Sequence, residues 1–279
     1  MVYFGPSGAC NEVIEAKLNK KEQTKFLKEI GVDAYEYPFT YGVNISKITQ
    51  EEVKENFEGN FKMSVHAPYY INFASPNAEQ IEKSHKYLLD SVKKAKEIGA
   101  DRVVFHPGAL TGQTREAALE NCLRALKQFV LLLDENNIHD VFICPETMGK
   151  HGQLGTVQEV AAMCSLDERI IPTIDFGHIN AFNLGALDSI EKYNEIFDEF
   201  VKKLNKKEIH IHFSRIEYTQ KGEKKHLTLN EESEFGPNYT QFLESLKNYD
   251  GINVRVISES NGTQSKDAAF LKEYYKKLF

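Results

Sequence analysis

Arg102-Val103-Val104-Phe105-His106-Pro107-Gly108 is the stretch that decides the fold: a short apolar run stops at an imidazole, and the residues after it end the ladder and turn the chain. The pattern recurs along the chain. Phe61–Val65 runs into His66, and Val141–Cys144 precedes Glu146 by two residues. Ile170–Ile174 runs into Asp175, Glu208–Ile211 into His212, and Ile252–Ser258 into Glu259. Val2–Phe4 and Tyr35–Tyr37 add two more strand-like segments, which makes eight.

Amphipathic stretches separate these runs: Lys21–Ile30, Thr49–Asn56, Asn77–Ile98, Thr114–Glu135, Thr156–Cys164, Ser189–Leu204, Asn238–Asn248 and Ser265–Lys277. In the third, Ile81, Leu88, Leu89, Val92 and Ala95 make one apolar face, with Gly99 as the C-cap. In the fourth, Leu119, Leu123, Leu126, Val130 and Leu133 do the same. Alternation of this kind implies parallel strands joined by crossover helices. The spacing predicts an α/β protein, a single (β/α)8 TIM barrel over residues 1–279 with its site at the carboxyl ends of the strands. Ser214–Pro237 is the one long irregular segment, and loops of that length are commonly functional.

A hydrophobic content of 41% with 27% charged residues suits a chain that buries a large core. No apolar run reaches the roughly 20 residues that span a bilayer, and Met1–Cys10 lacks a basic region followed by an apolar stretch. A cytoplasmic protein without membrane association is therefore expected, and no feature calls for an obligatory protein partner. Cys10, Cys122, Cys144 and Cys164 lack CxxC spacing, so they are expected to be reduced and mostly buried. The net charge of −7 lacks the basic footprint of most nucleic-acid binders. Bound divalent ions would offset part of that charge locally.

Period two places Ser64 with His66, Val104 with His106, Cys144 with Glu146, Thr173 with Asp175, and Ile257 with Glu259 on shared strand faces. The smaller members are expected to fill the barrel while the ligand types crown it. Any one of these polar residues could be a strand or helix cap. Together, in one mouth without a cation, they would carry costly desolvation and repulsion. In Asp175-Phe176-Gly177-His178 the glycine is expected to turn the backbone and bring a second nitrogen ligand to the rim. His85, His139 and His151 are expected at the surface, and His210 one layer below His212 in the interior.

In these pieces the chain resembles the endonuclease IV family, metal-dependent nucleases of abasic sites built on a (β/α)8 barrel. The matching segments are Tyr3-Phe4-Gly5, Val65-His66-Ala67-Pro68-Tyr69, Phe105-His106-Pro107-Gly108, Pro145-Glu146-Thr147, Asp175-Phe176-Gly177-His178, His210-Ile211-His212 and Val256-Ile257-Ser258-Glu259. The resemblance implies that His66 and His106 hold one ion. Glu146 would bridge it to a second held by Asp175, His212 and Glu259, and His178 and His226 would belong to a third. The family's third-site carboxylate falls at Lys224, an ammonium with no lone pair. The third ion is therefore expected to bind more weakly and to be secured by substrate phosphate, with Lys224 near it; the other arrangement turns Lys224 outward and Glu223 inward. The run Lys221–Lys225 could be a solvated loop or touch phosphate. Tyr69 and Tyr70 match the family's DNA-contacting loop after the third strand, and Tyr41 could stack on a base.

The resemblance implies a phosphodiesterase cutting DNA on the 5′ side of abasic sites, with Glu146 and Glu259 as catalytic residues. The ligand types suit two firmly bound zinc ions and a third site, and are also compatible with manganese or iron. The alternative is a sugar isomerase or epimerase of the xylose isomerase-like barrels, in which Glu146, Asp175, His212 and Glu259 would hold one ion.

Overall fold

The computed structural model describes residues 1–40, 42–43 and 45–278. Its barrel strands are β1 Val2–Pro6, β2 Ala34–Pro38, β3 Lys62–His66, β4 Arg102–Phe105, β5 Phe142–Pro145, β6 Thr173–Asp175, β7 Glu208–Phe213 and β8 Asn253–Ser258. They form two parallel four-stranded sheets, in the orders β1-β8-β7-β6 and β2-β3-β4-β5. Bridges Ser7↔Glu36 on one side, and Ile143↔Ile170 with Glu146↔Thr173 on the other, join the sheets into a closed TIM barrel. Closure brings the carboxyl ends of all eight strands to one mouth. The registers Asp175↔His212 and Ile257↔His212 place neighbouring strand ends at one level.

The crossover helices form where the hydrophobic spacing predicts, and side chains start them. Asn77, Thr114 and Thr156 accept from first-turn backbone N–H groups of Ala78–Glu97, Arg115–Glu135 and Val157–Cys164, each a cap worth about 1 kcal/mol. In Arg115–Glu135 the buried line is Ala118, Cys122, Ala125, Leu126, Phe129 and Leu133; Leu119, Leu123 and Val130 lie at its flanks, partly buried. Small residues, Ala118, Cys122 and Ala125, share this deepest face, which is rotated from the all-leucine face. The stretch from Ser189 is α-helical only to Asp198 and closes in a wider π-type turn, Glu199–Lys203. All four cysteines are free and buried. Among the described residues, no helix is long and apolar enough to cross a membrane.

Three local expectations change. Phe176–Phe182 is a helix that Asp175 caps, its Oδ1 accepting from His178 N–H at 2.7 Å. Gly177 serves close packing there rather than a turn, since a Cβ would stand 2.6 Å from the Ser214 carbonyl oxygen. The irregular segment after β7 contains an antiparallel hairpin, Arg215–Thr219 with Gly222–Leu227, which rises beside the mouth. The barrel interior is also more polar than small-residue filling implies. Val104, Cys144 and Ile171 make a small apolar layer, but Glu36, Arg102, His210 and Arg255 are buried too.

Candidate metal centre

Glu146, 1% exposed, is the hub of the mouth. Its Oε2 lies 3.3 Å from His66 Nε2 and 3.1 Å from His106 Nε2. Its Oε1 lies 3.2 Å from both His178 Nδ1 and His212 Nδ1. Around it the structure gathers three sets of ligand atoms, each within 4.8 Å: His66, His106 and Glu146; Glu146, Asp175, His212 and Glu259; and His178, Glu223 and His226, with a fourth, Glu36, His210 and His212, beneath them. All eight residues expected as ligands are thus brought together, with Glu223 added.

Neighbouring groups set the ring orientations. A carbonyl only accepts, so His66 Nδ1, 2.9 Å from the Ala67 oxygen, carries a proton, and Nε2 is the nitrogen turned to Glu146. His178 Nδ1 stands 3.0 Å from the Thr147 oxygen, which leaves Nε2 facing Glu223 at 3.4 Å. His226 Nδ1 pairs with Ser214 Oγ at 2.8 Å. Asp175 is fully buried, and its Oδ2 has no hydrogen-bond partner. A buried carboxylate oxygen without a hydrogen bond, among imidazole nitrogens and two more carboxylates, fits a divalent cation.

Without a cation, protons do part of its work. Burial opposes charge on His66 and His178, yet Glu146 and Asp175 respectively outweigh it and raise them to about 9 and about 10. His212 is raised well above its usual value against burial, by Glu259, Glu36 and Glu146. Burial, followed by the charges of Glu146 and Glu259, lifts Asp175 to about 7. Glu259 goes down to about 2 despite burial, because His212 lies beside it. The mouth is an electrostatically strained array in which His66, His178 and His212 take up protons in place of metal charge, while burial holds His106 and His226 below their usual value.

Lys224 does not reach this array. It points outward along the hairpin, with Nζ 2.5 Å from Glu217 Oε1. The residue before it turns inward instead, and Gly149 makes room, since a Cβ there would meet Glu223 Cβ at 2.8 Å. A bulge in the hairpin is the reason: Glu217 pairs with Lys225 and Tyr218 with Glu223, so Lys224 is the extra residue, and the alternation that would have placed it on the face of His226 is broken in favour of Glu223. Lys150, which sequence reasoning missed, lines the cavity, with Nζ 3.9 Å from Glu223 Oε2. The cavity measures about 550 Å³.

Tyr69 lines the cavity, 59% exposed, with its ring 5.3 Å from that of His106. Tyr70 packs on Tyr87. Tyr41 lies outside the described residues. Of the other histidines, His139 and His151 are exposed, whereas His85 is half-buried, bonded to the Ala125 carbonyl and packed on Phe73 and Phe129. His210 is interior, one layer down, with Nε2 3.0 Å from Glu36 Oε2. Glu36 carried no signal beyond being an acid inside the run Ala34–Pro38.

The class these observations define is a TIM barrel with a histidine- and carboxylate-rich mouth suited to divalent metal. The sequence profile of the xylose isomerase-like TIM barrel family matches residues 24–274, and the chain belongs to that family. An uncharacterized protein of Methanocaldococcus jannaschii is 32% identical over 281 residues, covering 100% of this chain and 98% of that protein. The probable endonuclease 4 of Aquifex aeolicus is 26% identical over 204 residues, 69% of this chain and 71% of its own. Among solved structures, a D-tagatose 3-epimerase-like protein matches with a TM-score of 0.70 at 22% identity, over 99% of this chain and 98% of that one. Endonuclease IV from Thermus thermophilus matches at 0.65 and 17% identity, over 99% of both chains. These structural likenesses establish the fold.

Proposed function

We propose that the chain, acting as one domain, is a metal-dependent phosphodiesterase that cuts DNA on the 5′ side of abasic sites. The observation that carries this reading is the hub: Glu146 is within 3.3 Å of four histidines and belongs to two of the four ligand clusters among the described residues. A single-ion reaction needs only one cluster. His66 and His106, His178 with Glu223 and His226, and the Glu146–Asp175–His212–Glu259 set would hold the ions, zinc being the metal that this mixture of imidazole and carboxylate suits. Such ions supply positive charge for a phosphate and lower the pKa of water. Relatives named as apurinic-apyrimidinic endonuclease, beside those named as probable endonuclease 4, support the substrate class.

The chain's own groups then divide the work. Glu259, ionised beside His212, takes the proton of the attacking water. Attack on phosphorus breaks the bond to the 3′ oxygen, which departs with the electron pair and takes a proton from solvent, leaving a 3′-hydroxyl and a 5′-deoxyribose phosphate. Tyr69 offers an aromatic face at the rim, and Lys150 offers a cation to a flanking phosphate.

A second reading is a sugar isomerase or epimerase. The Glu146, Asp175, His212 and Glu259 cluster is complete by itself for one ion, and Glu146 and Glu259 would move the protons. Zinc-reconstituted protein incubated with a duplex carrying one abasic analogue, and separately with a panel of ketoses and their phosphates, decides. Incision 5′ to the lesion without sugar turnover is expected. Epimerisation without incision overturns the nuclease reading.

A further inference from the structure

The loop after β5 lies between the two elements that build the His178–Glu223–His226 cluster. On one side it meets the hairpin: Glu223 N–H donates to the Gly149 carbonyl at 2.9 Å, and Lys150 bridges to Gly222. On the other it meets the helix that carries His178, where His151 Nε2 lies 2.8 Å from the carbonyl oxygen of Phe182, the last residue of that helix. Gly149 is the point of closest approach, since a Cβ there would stand 2.8 Å from Glu223 Cβ and 3.0 Å from His178 Cδ2. The loop is the spacer that sets how Glu223 stands to His178.

One ion pair holds that loop. Arg115, the first residue of the helix Arg115–Glu135, donates from Nη2 to the carbonyl oxygens of His151 at 3.0 Å and Gln153 at 2.9 Å. Its Nη1 donates to both oxygens of Glu159 at 2.8 Å, and its guanidinium lies over the Phe182 ring, 5.6 Å from the centroid. Glu159 is buried, and its Oε2 accepts from the N–H groups of Gly155 and Thr156, each at 2.7 Å. Arg115 thus grips the middle of the loop and Glu159 its far end. A cation in the first turn of a helix works against the macrodipole, so the helix itself gives no reason for an arginine there. The loop does.

We infer that Arg115 is a positioning residue of the His178–Glu223–His226 cluster: by clamping residues 149–155 it sets the spacing between His178 on one side and Glu223 and His226 on the other. It does so from outside the cavity, which it does not line. The planar fork of a guanidinium serves a carboxylate and two carbonyls at once, a task that the compact charge of an ammonium does not match. Released from Arg115, the loop no longer holds the Gly149 carbonyl against Glu223 N–H, and the hairpin strand that carries both hairpin ligands loses its seat. The ligands of the other two clusters in the mouth stand at or just past the ends of barrel strands and do not depend on this clamp.

The inference rests on the reading of the mouth as a metal centre, and two readouts on the full-length protein separate them. In zinc titrations against a competing chelator, the ion of this cluster is the step that Glu223→Ala weakens. Arg115→Met should weaken that step roughly 2- to 30-fold, the range of a coupling carried through packed contacts, and leave the other steps unchanged. Gly222→Ala breaks the same junction from the hairpin side, since a Cβ there would meet the Gly149 oxygen at 2.1 Å, and should weaken the same step. The double variant should fall no further than the more severe single variant; losses that multiply would show two independent effects and overturn the relay. Amide hydrogen exchange of the metal-free protein reads the clamp itself. Glu223 N–H is expected to be protected in the wild type and to lose protection in Arg115→Met, while the amides of β4 and β7 keep theirs. An unprotected Glu223 N–H in the wild type overturns the inference and needs no variant to fold. So does a folded Arg115→Met whose zinc steps are all unchanged. A wild type that protects Glu223 N–H yet takes no zinc at this cluster overturns the metal site alone.

Discussion

His178 Nε2 and Glu223 Oε2 meet 3.4 Å apart, one from the helix that follows β6 and the other from the hairpin that follows β7. With His226 they make a cluster of two imidazoles and a carboxylate, the kind of set a divalent ion takes. Glu223→Ala should weaken the ion at this cluster by about 10-fold or more, since an anionic ligand is lost. Lys224→Asp should change it little, because Lys224 is paired outward with Glu217. Metal titration of both variants, with and without an abasic duplex, checks this; tightening by Lys224→Asp would restore the arrangement with Lys224 in the site.

Glu259 should be separable from ion binding. Its neutral isostere in Glu259→Gln keeps an oxygen for the cluster but no longer takes a proton. Incision should slow by about 10²- to 10⁴-fold, while elemental analysis finds most of the metal retained. A rate equal to wild type would remove Glu259 from the chemistry.

The metal-free protein should lose stability with rising pH. His66 and His178, raised from 6.5 to about 9 and about 10, contribute stability that is complete below 6.5 and lost as pH rises through those values. Asp175, raised from 3.8 to about 7, adds a loss in the same direction between those two values. Glu259, lowered from 4.5 to about 2, contributes stability present above 4.5 and lost as pH falls through about 2. Urea midpoints in chelator should therefore decline from mildly acidic to alkaline pH. Zinc affinity should climb over the same alkaline range, because metal displaces those protons. A urea midpoint that rises from pH 6 to pH 10 would contradict the charge balance of the mouth.

The two rim tyrosines should behave differently. Tyr69 lines the cavity and Tyr70 packs on Tyr87, so Tyr69→Ala should weaken duplex binding by about 1–3 kcal/mol if it stacks on a base. Tyr70→Ala should have a much smaller effect. Fluorescence anisotropy with an abasic duplex compares them, and equal losses would place both rings on DNA.

The barrel and most of the mouth were legible because two periodicities carry them. Short apolar runs gave the strands, and the polar residue closing each run, His66, His106 or Asp175 for instance, faces the mouth by geometry alone. What escaped lacked periodic signal. Phe176–Phe182 is seven residues long and reads as strand end and turn. The Gly222–Leu227 strand is charged throughout its middle, Glu223-Lys224-Lys225, which resembles a solvated loop, and the bulge at Lys224 that turns Glu223 in leaves no periodic trace. Glu36 stands inside a strand whose end carries no ligand, so only its three-dimensional contacts with His210 and His212 reveal its place.

The count of metal ions per chain in zinc-titrated protein tests the shared hub most directly. At least two ions are expected in the wild type, and Glu146→Ala should lower the affinity of two together, because one carboxylate serves both the His66–His106 and the Asp175–His212–Glu259 clusters. One ion or none at saturating zinc in the wild type, or loss of a single ion in Glu146→Ala with the other untouched, would contradict it.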